Sequence, residues 1–232
     1  MASASFKNAS VWRHDFKILN SDRMGSGVLK LTLTRGVGKR GYKAEPDTKV
    51  TRISMFSAMP DMSKQQVHGI SVLLCKTQLA RQPQLAGLKH LNRLEQVLAR
   101  NEWDDPDITE GIVCDTHNNV IEGCMSNLFW VKKGIVYTPD LSFSGVDGVI
   151  RNAVIKICTQ HLTRPVKIAN YKLPDLLASD EIFVCNSLFN ILPVTEIKSD
   201  QHAAKSQELS VGVMTKKLQA LVQQYYLRKD SL

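Results

Sequence analysis

Lys89 is the residue whose place in the sequence most suggests chemistry. Residues 89–100 carry apolar side chains at helical spacing, which predicts a helix that opens at Lys89 and has one apolar face, formed by Leu91, Leu94, Val97 and Leu98. A lysine at a helix start is unusual, because its charge opposes the partial positive charge of the helix N-terminus. Either Lys89 points into water, or an anionic or covalently bound group lies at the helix start.

Two further positions could act with this lysine. Glu122 ends a short predicted strand and is followed by Gly123, so it is either a functional carboxylate or an exposed acid of an edge strand. Residues 144–151 are glycine-rich and open a second predicted helix, whose free backbone N–H groups could bind a phosphate. The alternative, a simple N-cap by Asp147, is favoured by the pattern alone.

A glycine-rich loop, residues 36–42, follows an alternating strand at residues 27–35. It lacks the Lys-Ser/Thr ending of a phosphate-binding P-loop and no helix follows it, so a flexible hairpin is the better interpretation. Arg35, Arg40 and Tyr42 lie at its edges and could receive a carboxylate.

Composition restricts the class of protein. The 232 residues suffice for one large domain or two modest ones, and no apolar run is long enough for a membrane-spanning helix. The first ten residues lack the apolar core of a secretory signal. Five cysteines, an odd number without a CxxC pair, predict a reducing, cytoplasmic setting with neither a disulfide framework nor a zinc or other metal site.

The formal net charge of +8 admits two interpretations. A nucleic-acid-binding protein would cluster its basic residues on one face and interleave them with aromatic ones. Here lysine and arginine are scattered along the whole chain and no nucleic-acid motif occurs. A basic surface that also suits small anionic ligands is therefore favoured, and we expect neither a nucleic-acid nor a membrane partner.

Several stretches, taken in order, resemble the fold-type IV pyridoxal-phosphate enzymes. This group contains branched-chain aminotransferases, D-amino acid aminotransferases and aminodeoxychorismate lyases. The similar stretches are residues 85–98 around Lys89, Glu122 with Ser126-Asn127-Leu128-Phe129, Tyr137-Thr138-Pro139, Gly148-Val149-Ile150-Arg151, Val184-Cys185-Asn186-Ser187 and Leu192-Pro193-Val194. Residues 85–98 and 35–42 are similar specifically to the lyases.

The resemblance implies an α/β (α+β) fold of two lobes with the cofactor between them. The smaller lobe, residues 1–79, would be truncated at its N-terminus, because the family's first strands and an arginine that holds the cofactor phosphate have no counterpart after Asp22-Arg23. The larger lobe, residues 80–232, would contain a mostly antiparallel, barrel-like sheet with helices.

The resemblance also assigns roles to individual residues. Lys89 would bind pyridoxal 5'-phosphate covalently, which requires its neutral amine, a form that burial and nearby positive charge favour. Glu122 would pair with the pyridine nitrogen, so that the ring can act as an electron sink. The phosphate would be held by the helix-start residues Val149 and Ile150 and by Ser187, with Asn186 beside it.

The implied activity is that of a 4-amino-4-deoxychorismate lyase of folate biosynthesis, which eliminates pyruvate to leave 4-aminobenzoate. Arg35, Arg40 and Tyr42 are the candidates for binding a substrate carboxylate, and relatives in the family are homodimers. Two alternatives remain, a pyridoxal-phosphate-dependent aminotransferase of D- or branched-chain amino acids and a truncated, non-catalytic family member. The sequence around Lys89 favours the lyase.

Overall fold

The structure, a computed structural model, describes residues 17, 27–43, 45–162, 165–199 and 206–227. The sequence also predicts a short helix between Trp12 and Leu19, and apart from Lys17 these residues lie outside the described part of the chain. The chain divides into two compact units, Met1–Asp61 and Met62–Leu232. The strand Ile70–Leu79 therefore belongs to the larger unit. The boundary between the two lobes that the resemblance implies, between residues 79 and 80, stays a prediction. None of the described helices is long and apolar enough to cross a membrane.

The smaller unit contains an antiparallel pair of strands, β1 (Gly27–Thr34) and β2 (Thr51–Ala58). Gly27 pairs with Ala58 and Thr34 with Thr51, without a bulge between them. The alternation of apolar and polar residues predicted a strand at residues 27–35, and β1 confirms it. The glycine-rich loop connects them and adopts neither helix nor strand.

The larger unit combines one nine-stranded sheet with five described helices. The helices are α1 (Ser63–His68), α2 (Leu94–Arg100), α3 (Val149–His161), α4 (Leu173–Leu177) and α5 (Val213–Leu227). The strands are β3 (Ile70–Leu79), β4 (Ile108–Asp115), β5 (Val120–Gly123), β6 (Asn127–Lys132), β7 (Ile135–Pro139), β8 (Lys167–Ala169), β9 (Glu181–Asn186), β10 (Asn190–Lys198) and β11 (Gln207–Glu208).

The sheet closes into a barrel, as expected from the resemblance. The order runs β10-β3-β4-β5-β6, and β9 completes the ring by pairing with both β6 and β10. Only the β10–β3 and β3–β4 pairs within this ring are parallel. Closure removes the free edges that an open sheet would expose and gives each strand two covered faces.

Strand β6 shows how the two faces are filled. Leu128 and Trp130 enter one apolar cluster, which contains alternate residues from all strands of the ring. Phe129 and Val131 point the other way, into a cluster with the buried faces of α3 and α5. The period of two along the strand thus builds two cores on opposite sides of one sheet.

The helix predicted to open at Lys89 is shorter than expected, because α2 begins at Leu94. Its predicted apolar face is also wrong, since Leu91, Leu94, Val97 and Leu98 are all exposed and only Ala99 of α2 is buried. Electrostatic conflict at a helix start therefore does not explain Lys89. The residue lies in an irregular segment between β3 and α2.

Candidate active site

The segment around Lys89 is held to a second segment, residues 145–148, that leads into α3. Gly87 N donates to Gly145 O (2.9 Å), and Asp147 N donates back to Gly87 O (3.0 Å). Gly87 adopts the left-handed conformation, with φ +77°, which a glycine reaches without steric cost. Gly87 is therefore not part of a right-handed helix, and Lys89 follows two residues later with an exposed side chain.

Arg93 folds back over the same segment. Its Nε donates to His90 O (3.0 Å) and its NH2 group to Leu88 O (2.8 Å), so the guanidinium holds the carbonyls on both sides of Lys89. These carbonyls would accept backbone N–H groups if the helix began at Lys89. Their use by Arg93 is one reason why regular helix starts only at Leu94.

Glu122 occupies the opposite environment. It lies on β5, pairs across the sheet with Val113 and Asn127, and is only 4% exposed. Its Oε2 accepts from Val146 N (2.8 Å) and from Asn127 Nδ2 (3.3 Å). The interpretation of Glu122 as an exposed edge-strand acid is therefore wrong.

Burial raises the pKa of the Glu122 carboxyl to about 7. The Val146 N–H and the positive charges of Arg93 and Lys89 act in the other direction, because they favour the carboxylate. The charge of Lys89 thus acts on Glu122, although the two residues are far apart in the sequence.

Asn127 connects Glu122 to the start of α3. Besides Glu122, its Nδ2 donates to Val146 O (2.7 Å). Its Oδ1 would lie 2.1 Å from a Cβ atom at Gly148, so only glycine fits there without displacing Asn127. In the sequence, Asn127 stands out only as part of a stretch similar to the family, and no local pattern indicates its bridging position.

Within the described part of the chain, the backbone N–H groups of Val149 and Ile150 at the N-terminus of α3 have no hydrogen-bond partner. Gly148 is the N-cap residue, no side chain caps the helix, and its first turn contains no acidic residue. Asp147 does not cap it either, since its Oδ1 accepts from Arg151 NH1 (3.0 Å). The alternative interpretation of this start, an N-cap by Asp147, is therefore wrong.

Asn186 and Ser187 lie at the end of β9. Asn186 Oδ1 accepts from Leu188 N (2.9 Å) and Phe189 N (3.1 Å), which stabilises the turn into β10. Its Nδ2 donates to Met125 O (3.2 Å), in the loop after Glu122. Ser187 is exposed in the same turn, so its hydroxyl is accessible.

Glu110 is a second buried carboxyl group beside Glu122. It accepts from Gly111 N (2.9 Å), Met125 N (3.2 Å) and Ser126 Oγ (2.7 Å), which fixes the loop between β5 and β6. Its pKa is raised by burial, and its charge adds to the rise at Glu122. The sequence signal for Glu110 was an acid in the middle of a strand whose following residues, Ile112 and Val113, are apolar.

Arg35, Arg40 and Tyr42 belong to the smaller unit, where all three side chains are exposed. Gly36 separates Arg35 from the rest of the loop with φ +96°, and a Cβ there would lie 1.8 Å from Lys49 O. A carboxylate-binding role for the three residues stays a prediction.

A comparison with protein families identifies the group to which this arrangement belongs. Residues 9–197 match the family described as amino-transferase class IV. The chain belongs to this family. The match contains Lys89, Glu122, the start of α3 and Asn186-Ser187.

Two proteins named as lyases are similar to this chain over most of its length. The chain is 39% identical over 195 residues to an aminodeoxychorismate lyase of Vibrio harveyi, which covers 84% of this chain and 70% of that protein. It is also similar to the crystal structure of 4-amino-4-deoxychorismate lyase from Pseudomonas aeruginosa, with a TM-score of 0.82 and 38% identity over 94% of this chain and 77% of the other.

A more distant class IV member shares the fold. The branched-chain amino acid aminotransferase of Escherichia coli has a TM-score of 0.76 at 22% identity, covering 94% of this chain and 70% of that one. The two-lobed, barrel-containing fold predicted from the sequence is confirmed by these similarities.

Proposed function

We propose that this chain is a 4-amino-4-deoxychorismate lyase that depends on pyridoxal 5'-phosphate. It would eliminate pyruvate from its substrate and release 4-aminobenzoate. The observation that carries the proposal is the joining of the Lys89 segment, Glu122 and the start of α3 through residues 145–148, in a chain 39% identical to a protein named as this lyase.

The donor set fits the cofactor at both of its polar ends. Both hydrogen bonds that Glu122 accepts from the described residues reach Oε2, so Oε1 is left for the N–H of a protonated pyridine. The uncapped start of α3 offers backbone N–H groups to a phosphate, at Val149 and Ile150. The exposed hydroxyl of Ser187 can add a further donor, with Asn186 holding its turn.

Lys89 and Glu122 have different roles in the proposed reaction. When bound, pyridoxal phosphate supplies an electron sink for negative charge at the carbon that carries the substrate nitrogen. Lys89 Nζ holds the cofactor and, as the free amine, takes the proton from that carbon. Glu122 keeps the ring nitrogen protonated, which needs its carboxylate form.

The elimination needs no second substrate. The proton leaves the carbon that bears nitrogen, the neighbouring carbon–oxygen bond breaks, and the enolpyruvyl group leaves with the bonding electrons. Protonation of the released enol gives pyruvate, and the remaining ring becomes aromatic. The two products together contain all the atoms of the substrate, so no keto acid is consumed.

An assay with two substrate sets tests the proposal. The purified chain with pyridoxal phosphate is incubated with 4-amino-4-deoxychorismate alone, and separately with D-alanine or a branched-chain amino acid plus a keto acid. We expect equimolar 4-aminobenzoate and pyruvate in the first incubation. Transamination without 4-aminobenzoate would instead identify an aminotransferase, and neither reaction would favour a non-catalytic family member.

The proposal extends to substrate contacts, assembly and location. Arg35, Arg40 and Tyr42 bind one substrate carboxylate, so Arg40→Ala should raise KM more than it lowers kcat.

A homodimer is supported by exposed Leu94, Val97 and Leu98 on α2, since such apolar clusters commonly mark interfaces. Sedimentation of unmutated protein and Leu94→Glu tests it, with a lighter species expected only for the variant. The five unpaired thiols support a cytoplasmic location.

A further inference from the structure

The guanidinium of Arg93 makes a contact that bears directly on Lys89. Nε and the NH2 group of Arg93 donate to the carbonyls of His90 and Leu88, at 3.0 and 2.8 Å. We infer that Arg93 is the positioning residue that fixes the backbone of Lys89. The inference rests on the proposed role of Lys89 as the cofactor lysine.

This segment has little else to hold it. Lys89 lies in neither helix nor strand, and within the described part of the chain no N–H of residues 89–92 donates to a backbone carbonyl. The nearest backbone hydrogen bonds are those of Gly87 and Leu88, both before the lysine. The next regular structure begins only at Leu94.

The rigid fork of the guanidinium suits this task. Its donors point in fixed directions and can hold two carbonyls at once, whereas a lysine ammonium is a compact charge on a flexible stem. A lysine at position 93 would therefore keep the positive charge near Glu122 without bridging Leu88 and His90. The structure thus allows the effect of the bridge to be separated from the effect of the charge.

Arg93 also lies on the path from Lys89 to Glu122. It borders an open groove of about 270 Å³ together with Val97, Cys124 and Met125. Cys124 and Met125 follow Glu122 directly, and the charge of Arg93 acts on the Glu122 carboxyl. Fixing the Lys89 backbone from this side would keep the amine facing the end of β5.

The test compares Arg93→Leu and Arg93→Lys with Arg100→Leu as a matched control. Arg100 is the last residue of α2 and also donates to a backbone carbonyl, that of Trp103 (3.0 Å), but none of its hydrogen bonds within the described residues reaches the Lys89 segment. The first readout is residue-resolved amide exchange at Gly87 and Leu88 in cofactor-free protein. The second is the fraction of borohydride-trapped pyridoxal phosphate found on Lys89 relative to all other lysines.

We expect exchange at Gly87 and Leu88 to become about tenfold faster in both Arg93 variants, because two charge-assisted hydrogen bonds are lost. Exchange in β4 should not change, and Arg100→Leu should leave the Lys89 segment as it is. The trapped fraction on Lys89 should fall severalfold in both Arg93 variants. A purely structural defect would change exchange throughout the unit without altering that internal ratio.

Three results would decide against the inference or its basis. Unmutated behaviour of Arg93→Leu in both readouts would overturn the inference. Full recovery in Arg93→Lys would show that charge, and not the bridge, is what matters, which also overturns it. Absence of any adduct on Lys89 in unmutated protein would instead contradict the proposed function, and the exchange readout would still decide whether Arg93 holds the segment.

Discussion

The two halves of the candidate site are built in opposite ways. Glu122 is buried, lies within a paired strand and is fixed by sheet register and by the close approach of Asn127. Lys89 is exposed, lies outside regular structure and depends on the guanidinium of Arg93. A group that must only stay in place can be part of the core, whereas a nucleophile that must form and release bonds needs an accessible position.

Of the substitutions that test this contrast, Glu122→Gln should have the largest effect on activity. Lyase activity should fall about 100-fold, because an electrostatic partner of the reacting system is removed. The activity is measured as 4-aminobenzoate release at saturating cofactor. Activity within about twofold of unmutated protein would contradict the role of Glu122, given the usual size of such effects.

The same variant should also change how the free energy of unfolding depends on pH in cofactor-free protein. The pKa of Glu122 is raised from 4.5 to about 7, so between these values the folded state keeps a proton that the unfolded state releases. The free energy of unfolding of unmutated protein should therefore fall as pH rises, by about 3 kcal/mol relative to Glu122→Gln. Urea titrations at pH 4.5 and 8 measure the difference. A constant difference would show that Glu122 is not protonated in the fold.

Two glycines, one on each side of the site, give a smaller and more local comparison. Gly148→Ala places Cβ 2.1 Å from Asn127 Oδ1, which must move away from Glu122 and Val146, at a cost of about 2 kcal/mol. Gly87→Ala has room, with Asp147 Cβ at 3.5 Å, and pays only for its positive φ, about 1 kcal/mol.

Thermal unfolding of the two alanine variants measures these costs. Only Gly148→Ala should also shift the pH dependence attributed to Glu122, because only it displaces Asn127. Equal shifts in both variants would show that the two sides are not independent.

The resemblance predicted the barrel correctly and the apolar pattern predicted its strands, whereas the helical pattern after Lys89 predicted the lysine segment wrongly. The strands of the ring are apolar on alternate or successive positions, and that signal is strong wherever both faces are covered. The apolar residues after Lys89 have an equally regular helical spacing. Such spacing does not indicate which backbone carbonyls will accept hydrogen bonds from a side chain. The sequence pattern gave no signal for Arg93, although its hydrogen bonds to two carbonyls are one reason why the helix starts only at Leu94.

Long-range contacts explain what else was missed. The hydrogen bond between Gly87 and Gly145 joins residues far apart in sequence, and Asn127, the first residue of β6, contacts the segment that leads into α3. Burial of Glu122 likewise depends on closure of the sheet and not on its neighbours in sequence. Similarity to a family supplied these roles, whereas local pattern alone favoured the simpler interpretation.

The most direct test of the account is an absorption spectrum of the purified chain with added pyridoxal phosphate. We expect unmutated protein and the control Lys217→Ala, an exposed lysine on α5, to show the band of lysine-bound cofactor at longer wavelength than free cofactor. Lys89→Ala should lack that band while its thermal unfolding is unchanged, since the side chain is exposed. A band that persists in Lys89→Ala, or is absent from unmutated protein, would contradict Lys89 as the cofactor lysine.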